Sequence, residues 1–217
     1  MQTPPFPNVD PEPRWPAVIA VLATGAVFWF LPERLTFGPN WLLLAVVAVL
    51  IVPTVVSHRA GNAKINYFFG LSLSGVITIA MVWSLSMLIA GLPSKKENPE
   101  ELLRAAVALW ISNILVFACW YWRLDAGGPH ARDLRRFHTD GAFLFPQMTL
   151  PSNSKLLKEN WRPGFVDYLF LAFNTSTAFS PTDVPVLSRW AKLLMMVQSS
   201  LSLGTLAILA ARAINIL

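Results

Sequence analysis

The chain reads as an all-α, polytopic membrane protein, and three observations lead there. Of its 217 residues 54% are hydrophobic and only 13% charged, whereas soluble domains carry about 25% charged residues. The apolar residues fall into runs of membrane-spanning length, and the mean hydropathy is +0.51. The 17 basic residues, which bring the formal net charge to +5, sit between and beside those runs rather than along one face. That distribution excludes a soluble globular domain and a disordered chain, and it excludes a nucleic-acid groove, leaving the lipid bilayer as the first partner.

Residues 1–14 form a Pro-rich tail without periodicity. Residues 15–124 then divide into four spans. Trp15 to Leu31 is the first, with Trp15 and Trp29 where aromatic rings favour the interface. No small-residue cleavage site follows it, so it is expected to be a retained helix. Pro32 to Asn40 is a turn and Trp41 to Ser57 the second span, which Pro53 is expected to bend or to end. After the loop SHRAGNAK the third span runs from Asn66 to Leu92, its serines and Gly75 suited to close helix packing. The fourth starts with Asn98 as N-cap, Pro99 at the first helical position and Glu100 and Glu101 at the positive helix end, and runs to about Leu124. Within it, Asn113 is expected to bond to a neighbouring helix and Cys119 to be a packing residue. Within the membrane, the four early spans are expected to carry no ionisable group.

Residues 125–163 are a polar, basic loop broken by Gly127, Gly128, Pro129, Pro146 and Pro151. His130, Asp133, His138 and Asp140 have metal-ligand chemistry but no zinc spacing, so they are read, like His58, as solvated or interfacial loop residues near anionic headgroups. Nucleophile elbow, phosphate-binding glycine loop, paired catalytic carboxylates and CxxC are all missing from the sequence. An enzyme, a cofactor and a metal site are therefore not expected.

Residues 164–217 hold the most specific pattern: a short apolar helix from Phe165 to Thr177, the hydroxyl-rich turn TSTAFSPTD (Thr175 to Asp183), and a long segment from Leu187 to Leu217. This order resembles the pore module of bacterial potassium-channel proteins, with a re-entrant pore helix, a selectivity filter and an inner helix. The resemblance implies that Thr175, Ser176, Thr177, Ser180, Thr182 and Asp183 form a filter-like turn. It also implies that Gln198, Ser199, Ser202 and Thr205 give the inner helix a polar face, and that a homo-oligomer passes a monovalent ion. With Asp183 on the family's closing Asp, residues Ala178 to Thr182 stand where the family has TVGYG. Both glycines are lost, Ser180 is restricted by Pro181, and β-branched Thr182 disfavours positive φ. The filter is thus degenerate and not potassium-selective. The chain is also similar to uncharacterised bacterial integral-membrane proteins whose last third reads much like AFSPTD, RWAKLLMM and a Gln-Ser pair, a likeness that implies membrane location alone.

Two topologies compete. A re-entrant short helix gives five crossings; a crossing one gives six, with both ends and the 125–163 loop cytoplasmic in the inner (plasma) membrane. When the carboxy terminus of the five-crossing path is placed inside, as in a channel module, basic residues favour six crossings. Six crossings bring Asp167 and Arg212 to one level as an ion pair. Asp183 is either a cap for the last helix or an ion contact at the outer mouth. The functional expectation is a channel-like or transport protein, and its rival is a non-conducting membrane scaffold or interaction subunit held together by the same polar residues.

Overall fold

The computed structural model describes residues 11–91, 99–135, 141–151, 161–177 and 183–216. Among these the regular elements are helical: α1 (Trp15–Trp29), α2 (Trp41–Arg59), α3 (Ala63–Gly91), α4 (Pro99–Leu124), α5 (Pro129–Asp133), α6 (Phe165–Thr177) and α7 (Arg189–Ile216), with short 3-10 turns between them. Four of these, α2, α3, α4 and α7, are long and apolar enough to cross a membrane, as a multi-pass membrane protein requires; α1 is apolar but shorter.

Helices α1 to α4 run up and down, and α4 is the hub. It packs on α1, α3, α6 and α7, and 61% of its apolar stretch is buried, against 17% for α2 and 22% for α7. Small residues set the close approaches. A Cβ on Gly25 would lie 2.9 Å from Leu44 Cδ1, so that glycine admits α2 against α1. The loop between α2 and α3 shrinks to Ala60, Gly61 and Asn62, because Gly61 takes the left-handed conformation at φ +69 and the Asn62 side chain accepts from the Ile65 N–H at 3.2 Å, capping α3. Pro53 does not end α2, which continues to Arg59. Glu100 and Glu101 stand in the first turn of α4 as expected, while Asn98 lies outside the described residues.

The start of α1, the end of α2, the start of α3 and the end of α4 meet at one end of the bundle. Arg14 pairs with Asp133 just beyond α4, Asn66 of α3 donates to the Thr54 carbonyl of α2, and Arg123 of α4 donates to the Asn66 carbonyl. This end is capped by residues 125–135 and 141–151. Phe143 and Phe145 are buried there among Tyr121, Trp161, Tyr168 and Trp190.

Helices α6 and α7 both leave from the capped end. Trp122 packs edge-on against Phe165 at the start of α6, and Trp110, further along α4, against Phe173. The stretch before α7 is tied to the same cap: Phe143 bridges Val186, the Leu144 N–H donates to the Pro185 carbonyl, and the Leu187 N–H donates to the Ala142 carbonyl. Deeper in, Gln198 sits beside Ala172 and Ser176. The two helices therefore run parallel, and the chain is back at its starting level by Val186. Nine residue steps separate Thr177 from Val186, and extended chain covers about 30 Å in nine steps, against a helix rise of about 18 Å from Phe165 to Thr177. A six-crossing path needs α6 and α7 antiparallel, whereas their described residues run parallel.

Candidate functional site

Two polar constellations occupy the helical bundle. The first interlocks α4, α6 and α7. Gln198 is fully buried. Its Nε2 donates to the Ala172 carbonyl at 2.7 Å and to Ser176 Oγ at 2.8 Å, its Oε1 accepts from the Tyr121 hydroxyl, and its main-chain carbonyl accepts from Asn113 Nδ2 at 3.2 Å. Asn113 thus bonds to a neighbouring helix as its apolar surroundings require.

The last carbonyls of any helix lack intrahelical partners, and in an apolar layer each orphan is costly. Helix α7 supplies partners for α6: Ser199 Oγ donates to the Thr175 carbonyl at 3.3 Å and Ser202 Oγ to the Ser176 carbonyl at 2.7 Å. The side chains of Thr175 and Thr177 turn back on their own helix, donating to the carbonyls of Leu171 and Phe173 at 2.8 and 2.9 Å. Thr205 Oγ1 donates to the Ser202 carbonyl at 2.7 Å. The polar spacing at 198, 199 and 202 follows from this role, since positions three and four apart share a helix face.

The filter-like turn is only partly in view. Ser180 and Thr182 lie outside the described residues. Asp183 is exposed, and Ser188, whose Oγ accepts from the Ala191 N–H at 3.3 Å, is the side chain that caps α7. Asp167 accepts from the Gly164 N–H at 2.7 Å, closing the first turn of α6. Arg212 stands near the far end of α7, about 30 Å along the parallel axes from the level of Asp167 at 1.5 Å per residue. The Arg212 side chain lies outside the described residues; the parallel helices carry the backbones of Asp167 and Arg212 toward opposite ends.

The second constellation is the polar cap. Arg132, 2% exposed, donates through Nη1 to the carbonyls of Trp122 and Asp125 at 2.7 and 3.0 Å and through Nη2 to Glu12 Oε2 at 2.9 Å. It satisfies carbonyls at the end of α4 and places a cation at the negative helix end. Glu12 also accepts from the Trp122 indole. Asp125, fully buried, accepts from the Ala142 N–H and from the Tyr168 hydroxyl, the latter at 2.6 Å. Arg14 bridges Glu12 and Asp133. Burial pulls its guanidinium below the ordinary value, and the carboxylates of Asp133 and Glu12 oppose that pull.

Asp125, Arg132 and Asp133 are therefore docked rather than solvated, which corrects the expectation for Asp133, while His130 is exposed; His138 and Asp140 lie outside the described residues. Among the described residues no three His, Cys, Asp or Glu side chains come together as a metal site. Tyr121, Asp125, Arg132 and Tyr168 were not legible as a cluster, because their partners lie up to 120 residues away in sequence. The one local signal was a basic residue soon after a helix end, in AGGPHAR. Arg123, 8% exposed and near the end of α4, corrects the expectation that the early spans hold no ionisable group.

No protein-family model, curated protein or solved structure matches the chain.

Proposed function

We propose that the protein is a non-conducting membrane scaffold or interaction subunit built on five crossings, α1 to α4 and α7, with α6 as a re-entrant helix. The observation that carries this is the α6–α7 interlock: Ser199 and Ser202 bond the terminal carbonyls of α6, and Gln198 is held at both ends of its amide. A water-filled path within one chain needs polar groups left over to face it, and among the described residues Gln198, Ser199 and Ser202 are spent on α4 and α6. Purified protein in liposomes is expected to pass no ions under an imposed gradient. A flux altered by Asp183→Asn overturns the proposal.

One observation favours a channel-like second reading, with Thr175 to Asp183 as a degenerate, non-potassium-selective filter in a homo-oligomer. Helices α6 and α7 start at the same end, as a pore helix and an inner helix do. A conduit would then lie between copies rather than within one, and the same flux measurement separates the two.

The charge balance supports a cytoplasmic capped end. Arg14, Arg59, Lys64, Arg123, the six basic residues from Arg132 to Arg162, Arg189 and Lys192 belong to it by chain position, leaving Arg34, Lys95, Lys96, Arg104 and Arg212 for the other side. Cytoplasmic faces carry the basic excess. In an inner (plasma) membrane the amino-terminal tail and the 125–163 loop would lie inside and the carboxy terminus outside, so α6 would re-enter from the cytoplasm. Reporter fusions in the loop and after Leu217 should report opposite sides. Two cytoplasmic reports would restore six crossings.

A further inference from the structure

Beneath the cap, α1, α2, α3 and α4 enclose a cavity of about 270 Å³, more than the 150 Å³ that holds a benzene-sized guest. Its two ends differ in chemistry. Toward the capped end it is bordered by Arg14, His58, Arg59 and Arg123, and deeper in by Val21, Ile51, Leu73 and Cys119, with no Asp or Glu in its lining. The apolar part reaches about 10 Å along α1, from the level of Arg14 to that of Val21.

Arg123 makes the cavity informative. It is 8% exposed and its guanidinium fills the notch left by Gly70, where a Cβ would lie 1.7 Å from Nη1. Its hydrogen bond to the Asn66 carbonyl is long at 3.4 Å, and its Nε has no partner among the described residues. The nearby carboxylates are committed elsewhere: Glu12 to Arg14, Arg132 and Trp122, and Asp133 to Arg14. Trp122 offers its ring face at 5.3 Å, an attraction that does not neutralise the charge. A buried cation without a counter-charge is unfavourable, and an anion entering the cavity would supply one.

We propose that this cavity binds an anionic phospholipid of the bilayer, its phosphate against Arg123 and Arg59 and one acyl chain along Val21, Ile51 and Leu73. The occupant follows from the pairing of a cationic mouth with an apolar interior at the end of a membrane helix bundle, where basic pockets between helices take acidic headgroups. The site is independent of the α6–α7 interlock and does not rest on the function proposed above.

The test uses the full chain in nanodiscs, with retained lipid counted by native mass spectrometry and tryptophan quenching read with tail-brominated lipid. Phosphatidylglycerol is expected to be retained over phosphatidylcholine, and Arg123→Met to reduce that preference about ten-fold or more, the size of a hydrogen-bonded charge. Ile51→Trp keeps the cation but fills the apolar part, so it should also release the lipid; it serves if the arginine variant does not fold. Equal retention of both lipids, or an unchanged preference in either folded variant, overturns the proposal. Displacement by inorganic phosphate alone, without dependence on a tail, overturns it in favour of a free-anion site.

Discussion

Replacing Gln198 with leucine distinguishes a structural amide from one that faces lipid or a lumen. The substitution removes three side-chain hydrogen bonds, to Ala172, Ser176 and Tyr121, and leaves the Tyr121 hydroxyl buried without that partner. Interhelical bonds in membranes average about 0.6 kcal/mol and reach about 1.7. Three of them set a floor near 2 kcal/mol, and a stranded hydroxyl raises the expected loss to between about 2 and about 4 kcal/mol. Unfolding of the reconstituted protein by sodium dodecyl sulfate, followed through tryptophan emission, reads this directly. A double-mutant cycle with Tyr121→Phe should return a coupling of about 0.5 to 1.5 kcal/mol. On a lipid-facing position leucine is at least as favourable as glutamine, so a Gln198→Leu protein as stable as the parent would refute the interlock.

Three further outcomes test the rest of the packing. Gly70→Ala drives a methyl into the Arg123 guanidinium, whereas a Cβ on Gly75 of the same helix meets nothing within 4 Å; the first should cost about 1–3 kcal/mol and the second should gain up to about 1 by helix propensity, both measured by the same unfolding titration. Asp125→Ala strands the Ala142 N–H and the Tyr168 hydroxyl and should destabilise by about 3 kcal/mol; an effect below about 1 would mean that the cap contributes little to the fold. Glu12→Ala removes the carboxylate facing Arg132, whose side chain is 2% exposed, and should lose about 3 kcal/mol, with residues 11–14 more readily cut by protease; an unchanged cleavage rate would place the stability of that segment elsewhere.

The membrane class and the helical spans were legible because they depend on local quantities. Twenty apolar residues in a row must be helical in lipid whatever surrounds them, and Pro99 with Glu100 and Glu101 marks the start of α4 by its own backbone chemistry. Asn113 could be assigned a helix–helix bond because an amide in an apolar run has few other partners. Residue types alone also singled out Gln198, Ser199 and Ser202, but not their use, since a hydroxyl that lines water and one that caps a neighbouring carbonyl look alike in sequence.

Tertiary structure decided the direction of α6 and, with it, the fate of the polar residues. Thirteen residues of apolar helix are compatible with a thin crossing or with a return, and the bridge between Phe143 and Val186, 43 positions apart, is what brings the start of α7 back to the start of α6. The same direction sets the backbones of Asp167 and Arg212 toward opposite ends, where antiparallel helices would have put them at one level. Arg123 and Arg132 are buried by the same long-range logic: Arg132, just beyond the end of α4, is covered by Glu12 and Tyr168, and Arg123, within the last turn of α4, lies against Gly70 and the Asn66 carbonyl of α3. Composition and hydrophobic runs are short-range properties and determine that the chain enters a membrane as helices; which buried charges are paired, and which one is left for a partner, depends on contacts between distant residues that only the folded bundle makes.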